Sequence, residues 1–549
     1  MGKGYVICLA IFAATGSFLF GYDSGVMTNV IASPHFLNYF DTDPDSDIVG
    51  ALNSTFSGGA AVGALVAGTL ADMFGRKYTI QIGATIATIG AILQAAAVKL
   101  SMLLVGRIIS GLAIGSLSMV IPVYQTECAH PDNRGLIVGI AQQMIGAGWI
   151  ISSWLGYACG YASGPFQWRF PLAFQGLPSF ILMFGMFIFP ESPRYLIQKL
   201  RYDEGIQVLR KLHYTGSNDD WIQQEFQEAK EAYEIEGEVD INPWKAMFVI
   251  PQWRRRTMIA CAMHAFGQST GINAIGYYQT IMYRNLGVHG HTITLLAACY
   301  NLVGPSTCLF FIIFLADRVG RRKPLLWGAC AVTLCLVGEA VFQAVNQDGT
   351  KKGLSAMGIL CIWLVTGFFS LSYGPPLLWG ACAVTLCLVG EAVFQAVNQD
   401  GTKKGLSAMG ILCIWLVTGF FSLSYGPVCW VYISEILPMQ IRGTGVALAT
   451  GIGHWGVNVM WSQVTPKGLN KIHWKFYLVF VAVNVFITIP SMYFFFPETK
   501  GVPLEEMDSV FGGAPDLSKW RNPNAPPREK TISEHVEAKD NVTADVAEV

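Results

Sequence analysis

Runs of mostly apolar residues, each near the length that crosses a bilayer, alternate along this chain with short clusters of charge. Candidate spans fall near 4–26, 51–71, 78–98, 102–124, 137–160, 170–190, 257–283, 293–316, 325–346, 356–375, 377–398, 408–434, 443–466 and 475–496. The pattern predicts an all-α membrane protein with about fourteen spans, since each segment can satisfy its own backbone in lipid as a helix. Between the spans, 195–256 is polar with a Glu/Lys-rich helical pattern around 219–236. The tail after about 510 is too poor in apolar residues to fold alone, so disorder is expected there. The expected domains are a first membrane bundle at 4–194, a cytoplasmic helical linker at 195–256, a second bundle at 257–509 and a tail at 510–549.

The charge clusters repeat. Asp72-Met-Phe-Gly75-Arg76-Lys77, then Glu127 with Arg134 seven residues later, then Pro190-Glu191-Ser192-Pro193-Arg194 form a first series. Asp317-Arg-Val-Gly320-Arg321-Arg322, Glu435 with Arg442 seven on, and Pro497-Glu498-Thr499-Lys500-Gly501 form a second. Two related halves follow, the body plan of a transporter. A different repeat lies inside the second half, where residues 324–375 recur without one change as 376–427. The spacings of the two series agree once this 52-residue unit is discounted, which marks it as an insertion of two extra spans into a finished fold.

Composition narrows the class. With 52% hydrophobic residues and 13% charged, the chain holds more apolar surface than one soluble core can bury. A net charge of -1 argues against a nucleic-acid partner. The 13 cysteines show no metal-ligand spacing, so neither a metal nor a cofactor is expected. Lys and Arg gather at 76–77, at 134, between 194 and 256, at 318–323 and at 442, which marks those loops as cytoplasmic and puts both termini inside.

The ordered motifs resemble those of the sugar porter family of the major facilitator superfamily, fungal in type. They are Phe20-Gly21-Tyr22-Asp23, Gly75-Arg76-Lys77, Gly106-Arg107, Pro122-Val-Tyr124-Gln-Thr-Glu127, the Pro190 cluster, Gln268-Ser-Thr-Gly-Ile-Asn273 with Tyr277-Tyr278, Gly426-Pro427-Val-Cys-Trp430 and the Pro497 cluster. The resemblance implies two six-helix bundles with substrate at the midplane between them. Its implied function is sugar:proton symport of a hexose by alternating access, by a multi-pass plasma-membrane protein that is a monomer and not an enzyme. Facilitative uniport, and a pentose, polyol, disaccharide or quinate as substrate, stay open. So do a non-transporting receptor and a chain inactivated by its duplication.

Asp23 and Arg107 each stand inside an apolar span, where an ionisable residue needs a partner or a cavity. In the family these positions form a proton-coupling pair; a static buried salt bridge is the alternative. By family position Gln142, Gln268, Asn273, Trp430, His454 and Trp455 are the expected substrate residues. Amides both donate and accept toward sugar hydroxyls, and indoles stack on the C–H face. For a lone amide, interhelical bonding is the competing reading. His454 stands where an amide is usual. Arg76, Arg134, Arg194, Arg321, Arg322 and Arg442, with Glu127, Glu191, Glu435 and Glu498, are expected to form a cytoplasmic gate that pairs and separates as the halves rock.

Overall fold

The computed structural model describes residues 2–43, 46–130, 134–214, 216, 218–237, 242–285, 288, 290–314, 329–337, 404–422, 424–499 and 507–513, with no strand among them. The first half is built on helices Thr15–Val30, Asp47–Phe74, Arg76–Ala95, Leu100–Cys128 and Arg134–Cys159, followed by the broken pair Phe166–Phe174 and Gly176–Gly185. Short helices Tyr202–His213, Asp219–Gly237 and Pro243–Val249 lie between the halves in sequence. The second half contains Pro251–Ser269, Ile272–Asn285, His291–Phe314, Lys404–Ser422, Tyr425–Ile436, Met439–Leu448, Val457–Ile472 and Lys475–Val483.

Six described helices are long and apolar enough to cross a bilayer: Gly4–Val30, Asp47–Phe74, Arg76–Ala95, Leu100–Cys128, His291–Phe310 and Lys475–Phe495. Their outward faces are apolar as well, with Met73, Ile92, Phe486 and Phe494 among the most exposed side chains. Water would penalise such a surface; lipid does not. The expected spans at 325–346, 356–375 and 377–398 lie wholly or largely outside the described residues, as do Arg321 and Arg322.

Small residues set the closest contacts. A β-carbon on Gly111 or Gly115 would strike the carbonyls of Phe56 or Ala60, and one on Gly59 or Gly63 would strike Ile108 or Leu112. Two glycine pairs spaced by four thus bring helices 47–74 and 100–128 to backbone contact, the usual route to tight packing in lipid. Helix 251–285 breaks at Thr270–Gly271, where Gly271 has φ +89°, a conformation that costs a side-chain-bearing residue energy.

The duplicated region contributes one described helix from each copy. Residues 329–337, from the first copy, and Lys404–Ser422, from the second, belong to the same buried cluster through Val332, Cys335 and Leu336 on one side and Ile411, Ile414 and Trp415 on the other.

The halves touch at both ends of helix 47–74. Near Asp47, Lys467 Nζ lies 3.0 Å from its carboxylate, Ser54 Oγ donates to Gln463 Oε1 at 2.8 Å, and Tyr161 stacks on His291 at 4.5 Å. Toward Phe74, Gly68 lies against Ala447.

Candidate functional site

A cavity of about 160 Å³ lies between the halves. The first half supplies Phe20, Ser24, Gln142, Ile145 and Trp149 to its wall, and the second supplies His264, Gln268, Asn273, Tyr277, Trp430 and His454 among others. An apolar cavity of about 150 Å³ holds one benzene ring, so this space suits a single six-membered ring.

Its polar groups are ordered as a chain. Asn273 Nδ2 donates to Gln268 Oε1, and Gln268 Nε2 meets His454 Nδ1 at 3.0 Å. With the Gln268 oxygen already accepting, its nitrogen is the donor to His454, so the His454 proton sits on Nε2. His454 rests in a π-helical stretch, Ala449–Gly456, whose wider turn presents it to the cavity. On the facing wall the buried Gln142 Oε1 accepts no hydrogen bond from another described group.

Five of the six expected substrate residues, Gln142, Gln268, Asn273, Trp430 and His454, therefore line this cavity. Trp455 does not. It is fully buried beside Phe20 at 5.0 Å and Phe56 at 5.7 Å, with its Nε1–H toward Ser118 Oγ at 3.4 Å. Trp149, His264 and Asn301 also line the cavity with no expectation from the sequence, and Ser24 and Tyr277, members of family motifs, join them though neither is an expected substrate residue. Trp149 lies two helical turns from Gln142 and His264 one turn from Gln268, so helical spacing from the recognised amides is the signal that finds them.

Asp23 and Arg107 meet one residue behind that wall. Arg107 Nη1 donates to Asp23 Oδ1 at 2.8 Å and to the Asp23 carbonyl at 3.2 Å, and Nε donates to the Leu52 carbonyl at 3.2 Å. The Phe56 ring covers the guanidinium at 4.2 Å. Arg107 is 0% and Asp23 3% exposed, so neither charge is solvated by water and each depends on the other.

The expected gate residues assemble within each half. Arg76 Nη2 lies 3.0 Å from Glu127 Oε1, and Ser192 Oγ donates to Glu127 Oε2. Glu191 caps helix 76–95, accepting from the backbone N–H of Arg76 at 3.0 Å and of Lys77 at 3.1 Å. Burial raises the Glu191 carboxyl above its ordinary value, opposed by the N–H groups of Ser192 and Lys77. Gly75 makes the preceding turn at φ +95°. Arg194 reaches Glu225 at 3.6 Å. In the second half Thr499 Oγ1 donates to Glu435 Oε2 at 2.7 Å, the Thr499 N–H to Glu498 Oε1 at 3.1 Å, and Arg442 Nε to the Leu437 carbonyl at 3.2 Å. Arg134 opens its helix, but its side chain, like Arg321 and Arg322, lies outside the described residues.

Known proteins carry the same plan. The family model described as "Sugar (and other) transporter" matches residues 9–377 and 375–511, dividing where the two identical copies join. The MFS-type transporter criB of Aspergillus cristatus is 33% identical over 512 residues, covering 93% of this chain and 94% of that protein. The high-affinity glucose transporter of Kluyveromyces lactis is 30% identical over 529 residues, covering 96% and 87%. A structure of the proton:xylose symporter XylE bound to 6-bromo-6-deoxy-D-glucose superposes with a TM-score of 0.70 at 21% identity, covering 93% of this chain and all of that one. The likeness to that structure is one of fold. With two such matches of sequence over nearly its whole length, the chain belongs to the sugar transporter family of the major facilitator superfamily, as a multi-pass membrane protein.

Proposed function

We propose that the chain carries a monosaccharide, a hexose first, across the plasma membrane by alternating access in symport with a proton, with both termini cytoplasmic. The observation that supports this most is the one-ring cavity between the halves, walled by Gln142, Gln268, Asn273 and Trp430. Sugar hydroxyls donate and accept, which an amide side chain can answer from either end. The Trp430 indole offers a face for the C–H side of the ring. Relatives named as glucose transporters agree with this substrate.

The proton step falls to Asp23, whose neighbour Ser24 lines the cavity. Paired with Arg107 it is a carboxylate; separated from Arg107 in the same apolar setting it takes a proton. That exchange links the proton to the state of the cavity. Arg76, Arg134, Arg194, Arg321, Arg322 and Arg442 with Glu127, Glu191, Glu435 and Glu498 form the cytoplasmic gate, and Trp455 supports the cavity from behind Phe20.

A second reading rests on the identical copies: the extra residues spoil the second half and the full chain transports nothing. Uptake of radiolabelled glucose into proteoliposomes, with xylose, sorbitol, maltose and quinate as competitors, is measured for the 549-residue chain and for a 497-residue chain lacking 376–427. Glucose uptake by both supports the first reading. Uptake by the shorter chain alone supports the second, and uptake by neither rejects hexose transport.

A further inference from the structure

Gln94 lies at the end of helix 76–95, and Ser110 stands one turn past Arg107 on helix 100–128; they are 0% and 1% exposed. Gln94 Nε2 donates to Ser110 Oγ at 2.6 Å. Two glycines make room for that bond. A β-carbon on Gly90 would strike Ser110, and one on Gly106 would strike Gln94, so each helix offers bare backbone to the other's polar side chain. The pair stands outside the recognised motifs, and the transport reading gives it no part.

Ser110 also meets the Asp23 carboxylate, beside Arg107. A spacing of three along one helix puts Arg107 and Ser110 on the same face, so both reach the same acid. The polarity of this chain of groups follows from its end. A carboxylate can only accept, so the Ser110 proton points to Asp23 and the Ser110 oxygen is left to accept; Gln94 must then turn its N–H toward Ser110, as it does. Gln94 Oε1 is buried with no hydrogen-bond partner among the described residues. A native interior rarely keeps an amide with one bond and an unpaired oxygen unless that bond has a use.

We infer that Ser110 is a positioning residue for the proton step: its hydroxyl donates to the Asp23 carboxylate, and Gln94 fixes the direction of that hydroxyl. This rests on the proposed proton symport and adds two residues to it. Arg107 supplies the charge, and Ser110 a directed donor that holds the carboxylate in one orientation. A hydrogen bond to the charged form opposes protonation, so removing it lets the acid keep its proton to higher pH. The titratable groups that face Asp23 are Arg107, Tyr277 from the second half and Tyr22 from its own helix. Ordinary Arg and Tyr side chains hold one charge between about pH 5 and 8, so a shift within that range belongs to the acid.

The test is accumulation of labelled D-glucose by the full chain in proteoliposomes under an imposed pH gradient, followed from about pH 5 to 8. Accumulation falls as pH rises past the point where Asp23 can load a proton. In Ser110→Ala that midpoint is expected about one pH unit above wild type. Gln94→Met, which keeps the volume and removes the amide, should shift it the same way by less. It should add nothing to Ser110→Ala, because it acts through that hydroxyl. A lowered Tm in both variants with the midpoint unmoved marks a bond between helices only and overturns the inference, as does an additive shift in the double variant. Absence of accumulation by the wild-type chain, with glucose exchange intact, overturns the symport reading and this inference with it. Accumulation by wild type with an unmoved midpoint in Ser110→Ala overturns the inference alone.

Discussion

In the first half Tyr124 donates its hydroxyl to the Pro190 carbonyl at 2.7 Å, and three residues on Glu127 takes the Ser192 hydroxyl. In the second half Tyr432 donates to the Pro497 carbonyl at 3.1 Å, and Glu435, again three on, takes the Thr499 hydroxyl at 2.7 Å. The same clasp closes both bundles, with Ser and Thr exchanged. At their centres the halves differ. The first buries an ion pair, Asp23 with Arg107, whereas the second lines the cavity with a neutral chain running Asn273, Gln268, His454. Under the proposed function these unlike interiors would divide the work, with charge movement in the first half and hydroxyl recognition drawn mainly from the second, joined by Gln142.

That division can be broken most severely at Asp23. Asp23→Asn should abolish uphill accumulation of labelled glucose under an imposed pH gradient while sparing exchange; Gln268→Ala should weaken KM and leave accumulation intact. Accumulation by Asp23→Asn would remove the charge task from the first half. Next in size, Arg107→Met leaves a buried carboxylate unpaired and should destabilise by about 3–5 kcal/mol, read as a lowered Tm in detergent. Adding Asp23→Asn should restore much of that loss, which a pair of independent residues would not show. Smallest are the clasps. Glu127→Gln and Glu435→Gln should each cost about 1.5–3 kcal/mol, the range for hydrogen bonds to a charged group. A much smaller loss at Glu435 would show that the second clasp is not wired like the first.

Much of this architecture is legible in the sequence because lipid leaves few choices: an apolar run of sufficient length must satisfy its own backbone, and helices result. The breaks within helices are less legible. Gly271, at the end of Gln268-Ser-Thr-Gly, and the junction at Gln175-Gly176 interrupt expected single spans, since polar residues and glycine allow a break in a helix without requiring one. The cavity wall follows the same logic. Gln142, Gln268 and Asn273 stand out as amides among apolar residues, but the side each neighbour faces depends on the rotational phase of its helix. His454 and Trp455 are adjacent in sequence, yet one lines the cavity and the other packs behind it between Phe20 and Phe56. They lie in the π-helical stretch, where an added residue per turn shifts the phase that regular α-helical spacing assumes.

Two described stretches, 329–337 and Lys404–Ser422, belong to different copies of the repeat and share one buried cluster. In the language of heredity, the two copies are interchangeable texts. Wherever within the repeat an in-register crossover joins the first to the second, the product is the same 497-residue sequence, with no scar at the joint.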